Sequence, residues 1–187
     1  MTQRVVFLDR DGVINEDRAD YVKTVDEFKL LPGSAEAVRL LNENGFDVMI
    51  ITNQSVINRG MVSREVLSDI HRTMIKAVAA KGGDFRDIFF CPHRPDEKCG
   101  CRKPAPGMIL AAKEKHGVDL SRSAMVGDNV KDMLVANRAG VGTAVLVRTG
   151  SGREAEAEYA AKGARVDHVA DDLAAAARWI VANRREG

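Results

Sequence analysis

The sequence predicts an α/β fold: a three-layer, Rossmann-like parallel sheet with helices on both faces. Three observations predict it. Short apolar runs alternate with segments of helical period, as successive βαβ units require. The runs are too short for buried helices and suit buried strands. Glycines close the helical segments, at Gly45, Gly82-Gly83, Gly117 and Gly140.

Taken in order, Arg4–Leu8 is a strand, ended by Asp9-Arg10-Asp11-Gly12. Pro32-Gly33 makes a turn, Ser34 is the expected N-cap, and the next helix runs to Asn44. Val48–Ile51 is a second strand, ending at Thr52-Asn53. Ser63 caps a long helix with Val66, Ile70, Met74 and Val78 on one face. Ile88–Phe90, Ala124–Val126 and Thr143–Val147 are further strands, with helices over Pro106–His116 and Val130–Ala139 between them. A helix near Glu154–Lys162, an extended piece at Val166–Val169 and a last helix, with Leu173, Ala177, Ile180 and Val181 on one face, complete the chain.

The 187 residues suit one domain, 1–187, with its own core. The chain carries 28 Lys+Arg against 27 Asp+Glu, a net charge of +1, which gives no footprint for nucleic acid or membrane. The opening apolar run is too short for a signal peptide, so a reducing, cytoplasmic setting is expected. No interface stripe stands out, and a monomer is the expected state. Cys91, Cys99 and Cys101, an odd clustered set, argue for metal over disulfides.

Three polar clusters follow three different predicted strands, where parallel sheets bind ligands. Asp9 and Asp11 can converge on a hard cation. One can attack phosphorus, and the other can move protons. Locally, Asp-x-Asp-Gly also reads as a simple turn. Thr52-Asn53 offers a hydroxyl and amides for phosphoryl oxygens, or an ordinary strand end. Asp128 in Gly127-Asp128-Asn129 can complete a magnesium site, or Asp128 and Asp132 can serve the next helix as cap and first-turn charge. Lys103 is the best lysine for a phosphoryl group, with a surface role as the plain alternative. Cys91-x-His93-x5-Cys99-x-Cys101 offers four ligands for a closed, tetrahedral structural zinc site, against three free thiols and a surface histidine. Such a loop would hold Arg102 and Lys103 firmly. His71, His116 and His168 lack ligand partners at useful spacing, so packing or surface roles are expected. Arg59 could meet a second phosphate.

Phe7–Asn15, Ile51–Ser55, Cys101–Pro104 and Val126–Asn129 resemble, in order, the four motifs of the haloacid dehalogenase-like phosphatases. More narrowly they resemble the group of D,D-heptose 1,7-bisphosphate and histidinol-phosphate phosphatases. The resemblance implies a minimal cap, Asp9 as nucleophile and Asp11 as general acid/base. It implies magnesium on the Asp9 carboxylate, the Asp11 carbonyl and Asp128, and phosphoryl stabilisation by Thr52 and Lys103. Substrate contacts are implied for Asp17, Asn53, Gln54, Ser55, Arg59 and Arg102, although Arg18-Ala19-Asp20 departs from the group's loop and Asn129 lies where the family varies. The implied partner is a small phosphorylated metabolite, with the 7-phosphate of a heptose bisphosphate as the bond broken. Histidinol phosphate is the alternative substrate. A phospho-accepting receiver-like domain and a zinc-stabilised interaction module are the non-enzymatic alternatives.

Overall fold

The structure, a computed structural model, describes residues 4–183. Six parallel strands form one sheet in the order β3-β2-β1-β4-β5-β6. They are β1 Val5–Leu8, β2 Asp47–Asn53, β3 Asp87–Cys91, β4 Ala124–Gly127, β5 Thr143–Val147 and β6 His168–Ala170. The helices are α1 Ser34–Glu43, α2 Arg64–Ala79, α3 Gly107–His116, α4 Val130–Ala139, α5 Gly152–Glu158 and α6 Leu173–Ala182. No helix among the described residues is long and apolar enough to cross a membrane.

Alternate residues of each strand face opposite helical layers. Val6, Leu8, Val48, Ile50, Val126 and Val145 pack against α1, α2 and α6. Val5, Phe7, Met49, Ile51, Met125 and Leu146 pack against α3, α4 and α5. β1 is buried along its whole length, which explains its uninterrupted apolar sequence. Because β1 pairs with β2 on one side and β4 on the other, the strand order reverses between β1 and β4. That reversal opens a crevice beyond the carboxyl ends of these two strands.

The expected elements are present, with shifted ends. β3 extends to Cys91 and so delivers the first sulfur of the cysteine cluster. The extended piece near 166–169 becomes β6 at His168–Ala170, and the preceding helix starts earlier, at Gly152. Ser34 does not cap α1. Gly33 holds that position in a left-handed conformation (φ 75°), and the Ser34 hydroxyl donates to the Ile14 carbonyl, 2.9 Å away. The expected cap Ser63 does accept from the first turn of α2, while α4 is capped by Asn129 and not by Asp128.

The lower end of the β1–β4 pair is tied by Ser123. Its hydroxyl accepts from the Val5 amide at 3.1 Å and donates to the Asp119 carbonyl at 2.6 Å. Ser123 is buried, so no water replaces it. Ser123→Ala should therefore cost about 1–3 kcal/mol by leaving a buried amide unpaired. Urea unfolding should show a lower midpoint at unchanged slope.

Candidate active site and zinc loop

Asp9 is the first residue past β1, and its amide still donates to the Val126 carbonyl of β4 at 3.0 Å. Asp128 is the first residue past β4. The crevice thus sets these two side chains opposite each other. A carboxylate oxygen of Asp9, one of Asp128 and one of Asp132 lie within 4.8 Å of one another. Gly12 makes this closeness possible. It is left-handed (φ 79°), and a Cβ there would meet Asp128 Oδ2 at 2.2 Å. The loop after β5 closes the far side. The Ser151 amide donates to Asp128 Oδ2 at 2.8 Å, and the Thr149 hydroxyl donates to the Gly12 carbonyl at 2.6 Å.

Lys103 enters this cluster from the side. Its buried ammonium lies 2.9 Å from Asp9 Oδ1 and 2.7 Å from Asp132 Oδ1. Its backbone is clamped to the end of β2: the Lys103 amide donates to Asn53 Oδ1 at 3.0 Å, and Asn53 Nδ2 donates to the Lys103 carbonyl at 3.2 Å. Three carboxylates face one ammonium, an excess of two negative charges. Burial pushes Asp9 up to about 7 against the pull of Lys103. Burial, with Asp132 and Asp9 nearby, pushes Asp128 up to about 8. A hard divalent cation on these oxygens would cancel the excess, so the donor set fits magnesium.

Asp11 is held differently. Its Oδ1 accepts from Arg10 Nη2 at 2.8 Å and Asn15 Nδ2 at 2.9 Å, and its Oδ2 accepts from Gln54 Nε2 at 2.8 Å. Although burial opposes it, the Arg10 guanidinium and these donors keep Asp11 below the usual carboxylate range. Its carboxylate stands apart from the Asp9–Asp128–Asp132 group, which leaves its backbone carbonyl as the metal donor that the resemblance implies. Gln54 Nε2 also donates to Thr52 Oγ1 at 2.9 Å, linking the β2 end to the β1 loop.

Asp9, Asp11, Asp17, Thr52, Asn53, Gln54, Arg102, Lys103 and Asp128 all line one pocket of about 840 Å³. Two expected residues do not. Ser55 is buried in the turn after β2 and accepts from Arg59 Nε at 3.3 Å. Arg59 stacks over Tyr21, 5.9 Å from the ring centre, and reaches the pocket rim only through it. Asn53 lines the wall, but its amide is engaged with Lys103.

Two residues, Arg10 and Asp132, gain roles that their sequence context did not reveal. Arg10 is 1% exposed and forks onto Asp11. Asp132 is the expected first-turn charge of α4, accepting from the amide of the N-cap Asn129 at 3.1 Å, and also holds Lys103. His71 packs as expected, with Nε2 3.4 Å from Arg10 Nη1. Burial first, then Arg10, lower its pKa to about 4. The usable signal for Asp132 was its four-residue spacing from Asp128. Nothing local marked Arg10 as buried. His116 contacts Asp87 at 2.7 Å, and His168 stacks on Trp179.

The cysteine cluster closes on itself. Cys91 Sγ lies 3.5 Å from Cys99 Sγ, 3.2 Å from Cys101 Sγ and 3.4 Å from His93 Nδ1. Zinc–sulfur bonds of about 2.3 Å in a tetrahedron place sulfurs roughly 3.8 Å apart, close to these spacings. All four donors come from the protein, so zinc here would have no open position. The loop leads straight into Arg102, whose amide donates to Cys99 Sγ at 3.3 Å and whose Nη1 donates to the His93 carbonyl at 3.0 Å.

Residues 100–176 match the HAD-hydrolase-like family model. The chain is 45% identical over 170 residues to the D-glycero-beta-D-manno-heptose-1,7-bisphosphate 7-phosphatase of Yersinia pestis, covering 86% of this chain and 90% of the relative. It is 44% identical to the enzyme of the same name from Pseudomonas aeruginosa, over 97% of this chain and 99% of that one. The chain belongs to the HAD-like heptose bisphosphate phosphatase family. The crystal structure of the D,D-heptose 1,7-bisphosphate phosphatase from B. bronchiseptica, in complex with magnesium and phosphate, superimposes with a TM-score of 0.91. It is 40% identical and covers 96% of this chain and 99% of that one.

The raised carboxylates set a sign for pH. In metal-free protein the folded state holds more protons than the unfolded chain between about pH 4 and 8, so stability should fall as pH rises through that window. Thermal melts should show magnesium stabilising the family member more at pH 8 than at pH 5. Equal gains at both values would contradict it. Stripping zinc should disorder the loop before Arg102 and Lys103 and lower kcat, as assays with metal analysis can show. Full activity in verified zinc-free protein would refute this.

Proposed function

We propose that the chain is a magnesium-dependent phosphomonoesterase that removes the 7-phosphate of D-glycero-beta-D-manno-heptose 1,7-bisphosphate. The observation that carries the reading is the buried Asp9 carboxylate at the pocket floor, paired with Lys103 and facing Asp128. The names of the family's members supply the substrate.

In this reading Asp9 attacks phosphorus, and the bond from phosphorus to the sugar oxygen breaks. Lys103 and Thr52 face the phosphoryl oxygens and offset their charge. The leaving oxygen takes a proton from Asp11, which must first gain that proton and leave the Arg10 fork. Water then attacks the aspartyl-phosphate, and Asp11 accepts its proton. The held, ionised state of Asp11 suits this second step, since every hydrogen bond it receives comes from a donor. Inorganic phosphate leaves, and Asp9 returns to a free carboxylate. The chemistry that a bound magnesium ion supplies is charge shielding and polarisation of the phosphoryl oxygens. Asp9, Asp128 and the Asp11 carbonyl would hold it. Arg102 and Asp17 contact the sugar phosphate. Thiols kept free for metal favour a cytoplasmic setting, and a monomer is the working form in this reading.

Asp9→Asn should retain the fold and lower kcat by about four orders of magnitude or more. Phosphate release from a panel of both heptose bisphosphate anomers, histidinol phosphate and simple esters checks activity and substrate together. A folded Asp9→Asn protein with unchanged turnover would end the reading.

A further inference from the structure

A second groove, of about 690 Å³, opens beside the catalytic pocket. It runs between the zinc loop and the start of α4. Arg102, Lys103 and Lys131 line both cavities, so the two are continuous. Lys98 completes the groove's charged wall.

The charges here differ from those elsewhere around the site. Arg10, Arg18 and Lys103 are each paired with carboxylates. Among the described residues, Lys98, Arg102 and Lys131 make no ion pair, and Arg102 spends one nitrogen on a carbonyl. Local folding does not ask for these cations. Lys131 sits in the first turn of α4, where the helix dipole disfavours positive charge. Lys98 adopts a left-handed backbone (φ 48°), a conformation that residues with a Cβ rarely take. A compact anion between the loop and the helix would meet all three cations. Arg59, by contrast, is turned to Ser55 and Tyr21.

We propose that this groove seats the second, non-transferred phosphate of the substrate, and that Lys98 and Lys131, with Arg102, set the preference for a bisphosphate over a monophosphate. The inference rests on the phosphatase reading and deepens it. It assigns selectivity to cations on two separate elements, one of them fixed by the zinc loop.

The test compares kcat/KM for D-glycero-beta-D-manno-heptose 1,7-bisphosphate with that for the matching 7-phosphate. Both are measured for the unmodified protein, Lys98→Gln, Lys131→Gln, the double variant and Lys131→Arg. Each exposed lysine can be exchanged without touching the core. The ratio should drop about tenfold per lysine lost, chiefly through KM, and Lys131→Arg should keep most of it. An unchanged ratio in the double variant overturns the inference alone. So does an equal loss on both substrates. No hydrolysis of either ester by the unmodified protein overturns the phosphatase reading, and the inference with it.

Discussion

The buried ion pair between Lys103 and the carboxylates of Asp9 and Asp132 is the contact on which the site depends. Carboxylates this close and this buried repel one another, and each resists ionisation. Lys103 is the nearest positive charge and is itself out of water. Such a lysine is tolerable only with carboxylate partners at contact distance. The pairing keeps Asp9 near the point where it can ionise at neutral pH, and it leaves a charge deficit that a divalent cation fills.

The fold delivers that lysine by an indirect route. Asp9 and Asp128 arrive directly, as the first residues beyond adjacent strands. Lys103 lies far from any strand end in sequence, on a connection between β3 and α3. Two devices bring it in. Asn53, at the tip of β2, clamps its backbone in both directions. The cysteine–histidine loop folds the chain back from the tip of β3, starting at Cys91. Metal held at that loop would act on catalysis through position, by fixing the residues just after it.

Much of this was legible in the sequence because it follows local rules. Buried parallel strands read as short apolar runs, and carboxylates just after them mark the ligand-binding edge. Cys91-x-His93-x5-Cys99-x-Cys101 announced its own closure. What stayed hidden depends on long-range packing. Ser34 looked like a cap, but Ile14 claimed its hydroxyl and Gly33 took the turn. Arg10 looked like a loop residue, yet the loop that carries it is itself core. Asp132 looked like first-turn charge on a helix and is that, while its second oxygen reaches a lysine 29 residues earlier in the chain. Arg59 and Ser55, which the motif put among the substrate contacts, are turned to each other instead.

The pocket's walls follow from the same economy of parts. The rim of the crevice is built from connections: the loop after β1, the turn after β2, the zinc loop, the first turn of α4 and the loop after β5. A short loop has little core of its own and would otherwise be mobile. The loop after β1 solves this with charge, through Arg18, Asp20 and Glu27. The connection after β3 solves it with four metal-binding side chains. The zinc loop also carries surface ion pairs, from Arg94 to Asp96 and Glu97, yet among the described residues Lys98 and Arg102 beside them stay unpaired. Rigidity at the rim thus comes from metal-binding side chains and ion pairs together, and the cations left over face the groove. A site that must seat an anionic substrate needs both.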